Sequence, residues 1–211
     1  MRPPDQPPAD PNLDQWETYA LAYLCEQLRE AAPKALSKAV LFPHSPLEGE
    51  GAVVAYEFTS KRAGPEEQRY FVVVGKTEPN YYPAHNLPVE DAFDLHLGTR
   101  FMLVMGVARV DEADAPREVE AAYDPVADAR SIVDRVAPDA PIEEVTVAAT
   151  FDVGGELHAV LGARVAGEQV YIMARDAPPG FSRRVDLPVQ VVYRLHIGHV
   201  LRTEPTPGED D

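Results

Sequence analysis

Residues 70–98, YFVVVGKTEPNYYPAHNLPVEDAFDLHLG, and residues 170–198, VYIMARDAPPGFSRRVDLPVQVVYRLHIG, align without a gap at an offset of 100. Seven pairs are identical: Pro79/Pro179, Leu87/Leu187, Pro88/Pro188, Val89/Val189, Leu95/Leu195, His96/His196 and Gly98/Gly198. Unrelated segments of this length share roughly two identities at ordinary residue frequencies. The chain therefore reads as an internal duplication, and a fold proposed for one copy must also suit the other.

That demand resolves an ambiguity of period. In the second copy Leu187, Val189, Val191, Tyr193, Leu195 and Ile197 alternate like a strand, while Val189, Val192, Tyr193, His196, Ile197, Val200 and Leu201 share a helical face. In the first copy the alternating set contains Asp91, but the helical set Val89, Ala92, Phe93, His96, Leu97, Phe101 and Val104 stays mainly apolar. The sequence predicts helices over 88–105 and 188–202, each opened by a Leu-Pro step after Asn86 or Asp186, with proline suited to the first turn. The alternative is a stop at Gly98 and Gly198 followed by a strand.

Strand-like runs precede both helices. In the second copy they are 144–153, 156–165 and 169–176, with Gly154-Gly155 as a hairpin signal; in the first they are 38–42, 52–60 and 68–76. A leading helix is expected in each copy. Leu13, Trp16, Tyr19, Ala20, Tyr23, Leu24 and Leu28 form one apolar stripe, with Asp14 and Glu17 spaced as a capping box; residues 126–136 form the other, with Asp124 as cap before Pro125. The predicted fold class is α+β: two tandem degenerate copies of a helix, three-stranded antiparallel meander and helix, arranged as a pseudo-twofold dimer within one chain. The expected organisation is a disordered Pro-rich tail at 1–11, a first unit at 12–110, an acidic linker at 111–120, a second unit at 121–203 and a disordered acidic tail at 204–211. The order helix, meander, helix resembles half of a type III secretion chaperone, a resemblance of element order alone.

Composition narrows the function classes. The 211 residues carry 35 Asp and Glu against 19 Lys and Arg, a formal charge of -16, which argues against nucleic acid as a partner. The single cysteine, Cys25, excludes an intramolecular disulfide framework and any multi-cysteine metal site. The longest apolar run, 101–108, is too short for a membrane span, and residues 1–11 have no apolar core of the secretory-signal kind, so no membrane partner and a cytoplasmic location are expected.

His96 and His196 are the most suggestive chemical groups because Leu-His-x-Gly recurs in both copies. On an apolar helix face, each is read first as a partly buried histidine bonded to a backbone carbonyl, and second as a ligand or base. His196 and His199 have the i, i+3 spacing of metal ligands, but the first copy has Thr99 there, so neither a metal nor a cofactor is expected. Glu48, Glu50, Glu66 and Glu67 read as solvated loop carboxylates. The loops before the shared helices supply the candidate partner- or ligand-binding residues: Tyr81, Tyr82 and His85 in a stiff Pro-flanked stretch, and Arg183 and Arg184 as a local basic spot before a helix N-terminus.

These readings favour a non-enzymatic protein-interaction protein, adaptor or chaperone-like, acting on a protein partner as a monomer or homodimer. The alternative is an enzyme or small-ligand-binding protein with its site in a groove between the copies. Recurrence of Gly98 and Gly198, where glycine costs ~1 kcal/mol in a helix, predicts that another backbone passes close by.

Overall fold

The computed structural model describes residues 13–29, 35–47, 49–60, 68–77, 79–110 and 123–203. The expected tails at 1–11 and 204–211 and the expected linker at 111–120 lie outside these. Among the described residues the chain forms two compact units, one running to Leu97 and taking in Leu201 onward, the other Gly98–Val200. Both are mixed α and β.

The first unit opens with helix α1, Leu13–Leu28, whose stripe of Trp16, Tyr19, Ala20 and Leu24 is buried. The helix begins at Leu13, so Asp14 sits in its first turn instead of the N-cap position of a capping box. Four antiparallel strands follow in sheet order: β1 (Ala35–Phe42), β2 (Val53–Ser60), β3 (Gln68–Val74) and β4 (Asn80–Pro83). Alternation assigns the faces. Val54, Tyr56, Phe58, Tyr70, Val72 and Val74 pack with α1, leaving Val53, Ala55, Phe71 and Val73 on the other face. All of these are buried, which is why 70–74 reads as an unbroken apolar run.

A turn at 84–87 then reverses the chain, with the Leu87 N–H on the Ala84 carbonyl at 2.7 Å. Its central residues His85 and Asn86 have φ of +46° and +60°. Pro88 leads into a 3-10 turn, Val89–Asp91, continuous with helix α2, Ala92–Val104. The helix runs through Gly98. It stops at Gly106, φ +63°, where the Val107 N–H closes on the Met102 carbonyl at 2.9 Å in the manner of a Schellman end.

The second unit carries five antiparallel strands in the order β5 (Ala108–Val110), β6 (Ile142–Val153), β7 (Glu156–Val165), β8 (Glu168–Arg175) and β9 (Gly180–Ser182). Gly154 and Gly155, φ +62° and +94°, make the two-residue turn between β6 and β7. Helix α3, Pro125–Val136, packs Ala129, Ile132 and Val133 on Ala159, Leu161, Ala163, Val170, Ile172 and Ala174. Asp124 caps it, accepting from the N–H groups of Val126 and Ala127. Helix α4, Val189–Thr203, runs through Gly198 and stacks Tyr193 on Phe151 with ring centroids 4.3 Å apart. The first unit has a matching stack of Phe93 on Phe42 at 4.5 Å.

The expected three-stranded meanders are therefore incomplete. The segments read as loops before the shared helices form the edge strands β4 and β9, and β5 adds a fifth strand to the second sheet. These strands span only three or four residues, too short for alternation to register, and β4 and β9 carry a Pro or a Gly as well. Among the described residues no helix is long and apolar enough to cross a membrane.

Candidate functional site

The two β-hairpins that open the sheets differ in one respect that creates a site. In the second unit β6 and β7 are joined by two residues; in the first, β1 and β2 are joined by ten, 43–52. That longer loop folds on itself. The Ser45 N–H donates to the Gly51 carbonyl at 2.9 Å and the Glu50 N–H to the Leu47 carbonyl at 3.2 Å. Gly49 and Gly51, both at positive φ, turn the backbone so that Glu50 points inward.

Glu50 ends beneath α2, 1% exposed, with Oε1 2.9 Å from Nε2 of His96. His96, also 1% exposed, places Nδ1 3.1 Å from the hydroxyl of Tyr82 on β4. The Ser45 hydroxyl donates to Glu50 Oε2 at 2.5 Å and the Thr77 hydroxyl to Oε1 at 3.2 Å. An ionised carboxylate only accepts, so Nε2 of His96 carries the proton it faces; in the neutral ring Nδ1 then accepts from the Tyr82 O–H. Burial pushes the Glu50 carboxyl up, but hydrogen bonding and charge attraction from His96, with hydrogen bonds from Ser45 and Thr77, outweigh this and hold it below its ordinary 4.5. The result is a directed relay, tyrosine to histidine to carboxylate, joining β4, α2 and the 43–52 loop.

Such an order of groups can activate a hydroxyl when the hydroxyl meets solvent or substrate. Here Tyr82 is 6% exposed and all three groups are turned toward one another. What the arrangement does among the described residues is anchor: it satisfies a buried charge and fixes the loop to helix and strand.

The second unit has a different buried pair. His158 on β7 is 4% exposed, and its Nδ1 lies 2.6 Å from the Tyr193 hydroxyl on α4. Burial pushes His158 below its ordinary 6.5, against the pull of the Glu156 and Asp176 carboxylates. Burial also raises Tyr193, keeping it a protonated donor.

The structure brings Tyr82 and His96 together and disperses the other expected residues. Tyr81 is half-buried, edge-on to Tyr23 at 6.3 Å. His85 is exposed on the left-handed turn. Arg183 is exposed, paired with Glu168 at 3.1 Å and lying over the Phe181 ring. Arg184 is exposed, its N–H on the Ser182 hydroxyl at 3.3 Å. His196 is half-buried with Nε2 2.7 Å from the Pro178 carbonyl, whereas His96 takes a carboxylate and a phenol in place of a backbone carbonyl. Burial lowers His196; the Pro178 carbonyl opposes this and His199 adds to it. Among the described residues no three His, Cys, Asp or Glu side chains group as a metal site.

Sequence reasoning missed Glu50, His158 and Tyr193. Glu50 was grouped with Glu48, Glu66 and Glu67, which lie outside the described residues; the signal available was its place between two glycines in GEG. His158 stands at an inward position of the alternating run ELHAVLGARV, where a polar residue in a core register asks for a partner. The chain matches no protein-family model, no curated protein and no solved structure.

Proposed function

We propose that the protein is a non-enzymatic interaction protein, adaptor or chaperone-like, built from two degenerate copies of one α+β unit. The observation that carries this reading is the end of α2. Leu103, Val104 and Met105 are 67%, 77% and 43% exposed, three consecutive large apolar side chains on one helix terminus. Exposed apolar residues that stand together mark interaction surfaces more often than those scattered singly. The polar groups best suited to chemistry, by contrast, are buried against each other. The formal charge of -16 favours a polypeptide partner that offers apolar side chains in a cationic setting. Support for duplication comes from the shared order of strand, short edge strand and helix over the aligned segments, and from the equivalent stacks at Phe93 and Tyr193.

The test compares the wild-type chain with L103S/V104S/M105S. A partner captured from host lysate is identified and purified, and its affinity for both forms is measured by calorimetry. The expected result is a loss of at least about tenfold in affinity, with unchanged circular dichroism, since three apolar contacts at a hot spot are worth more than 1.4 kcal/mol. Equal affinity for both forms would remove the apolar terminus from the proposal. Turnover of a small molecule, abolished by His96→Gln, would replace the interaction reading with an enzymatic one.

A further inference from the structure

Each unit buries a histidine against a tyrosine hydroxyl, on α2 in the first and on β7 in the second, but the charge beside the two rings differs. His96 meets a buried carboxylate, that of Glu50, at 2.9 Å from Nε2 as well as the Tyr82 hydroxyl. His158 faces the neutral hydroxyl of Tyr193. We propose that the His158–Tyr193 contact is an acid-sensitive latch of the 98–200 unit, whereas the buried histidine–tyrosine contact of the 13–97 unit is backed by a buried carboxylate.

The surroundings of His158 determine the sign. From α4 it meets Tyr193. From β8 it lies opposite Arg175, whose guanidinium sits over the Tyr123 ring, and near Asp176, whose carboxylate accepts the Leu157 N–H at 3.0 Å. From β6 it lies opposite Phe151, next to Asp152, which accepts the Gly155 N–H. On its own strand Glu156 reaches only 4.0 Å from Nε2, with its side chain 71% exposed. The Glu156 and Asp176 carboxylates favour a charge on the ring, but burial outweighs their pull. A protonated ring would put a buried positive charge against the neutral Tyr193 hydroxyl, and where Nδ1 accepts from that hydroxyl the second proton would also turn the bond round. The favourable response is separation of β7 from α4, which wets both groups.

His196, bonded to the Pro178 carbonyl in the same unit, acts in the same direction. Both rings have folded pKa values below their ordinary 6.5, so the unfolded chain binds more protons than the folded one in mild acid. Their contribution is fully present above about pH 6.5 and is lost as pH falls below it toward the folded values. Glu50, held below its ordinary 4.5, stays ionised through that window and keeps a buried negative charge beside the His96 ring. His44 and His85 of the first unit are exposed.

Amide hydrogen exchange of the full chain at about pH 7.5 and about pH 5.5, corrected for intrinsic rates, tests this. A group with an ordinary value of 6.5 that stays neutral when folded increases opening about tenfold between those conditions, so two give up to about a hundredfold. The expected result is that protection over 156–165 and 168–175 falls about ten- to a hundredfold, while 53–60 and 68–74 change by less than about threefold. The variant H158F/Y193F keeps two aromatic rings in the core while removing both polar partners of the contact, and should shrink the fall by about tenfold. Titration of the His158 ring by NMR in the wild-type chain serves if that variant does not fold. Equal loss in both units, no loss in either, an undiminished fall in the variant, or a His158 ring titrating at or above 6.5 would each overturn the latch.

Discussion

At Gly98 a single absent side chain sets how closely two helices meet. A Cβ built there would lie 1.9 Å from the carbonyl oxygen of Arg194 and 2.7 Å from its carbon, both backbone atoms of α4 that cannot swing away. Gly98→Ala therefore has opposed effects. Helix propensity favours alanine by up to ~1 kcal/mol; overpacking typically costs ~1–3 kcal/mol, and contact with backbone lies at the upper end of that range. The expected net result is destabilisation by about 1–2 kcal/mol, read as a lower urea midpoint at unchanged slope; a raised midpoint would contradict the close approach. This glycine was legible in the sequence because it recurs inside a helical pattern. The ring directions of His96 and His196 were not. His196 lies over Gly180, where a Cβ would fall 2.0 Å from Cε1. The first copy has Asn80 at that aligned position, and its histidine turns instead to Tyr82 and Glu50. Aligned identity at the histidine thus hides two different environments, because the partners come from positions where the copies have diverged.

Among elements, α3 shows local chemistry that reads directly from sequence. Asp124 precedes Pro125, accepts from the N–H groups of Val126 and Ala127 at 3.0 and 3.1 Å, and satisfies two donors that the helix cannot. Asp124→Ala should cost about 0.5–2 kcal/mol, with Asp124→Ser recovering most of it; thermal unfolding of the two variants checks this, and an unchanged midpoint for alanine would deny the cap a role. Long strands and helices with buried stripes were legible for the same reason: their pattern repeats several times. The edge strands were not, because Asn80–Pro83 and Gly180–Ser182 are fixed by pairing with β3 and β8 and not by their own pattern. The 43–52 loop was the largest loss. Its length was visible, but that it folds inward to deliver a carboxylate depends on Gly49, Gly51 and the space beneath α2. Strand β6 shows the converse, a local irregularity with a clear use. Its register shifts twice, between Glu143 and Thr146 and between Val147 and Ala149, and it carries Glu143 and Glu144. Bulges of this kind bend a strand and increase its local twist.

At the scale of the whole molecule the dominant physical fact is charge. The surplus of 16 negative charges is untouched by pairing, and the ion pairs among the described residues include Lys38 with Glu90, Arg69 with Glu57, Arg164 with Glu144, Arg183 with Glu168, and Arg202 with Asp94. The Arg202 guanidinium grips Asp94 through two contacts of 2.9 and 3.0 Å, tying α4 to α2 within the first unit. Most of the other pairs are well exposed, and exposed pairs contribute at most ~1 kcal/mol each. Self-repulsion acts against the compact state over longer distances, because folding brings like charges closer than they lie in the extended chain. Salt reduces that repulsion. The Debye length falls from about 30 Å near 0.01 M to about 8 Å near 0.15 M, which screens surplus charges spread across a surface more than it weakens ion pairs at contact. Raising sodium chloride across this range at neutral pH should therefore raise the thermal midpoint. The Asp94–Arg202 and Glu57–Arg69 pairs, with their carboxylates largely buried, should lose little. A midpoint that falls with salt would mean that specific ion pairs outweigh the net charge, and that the acidic surplus is solvated too well to bear on folding at all.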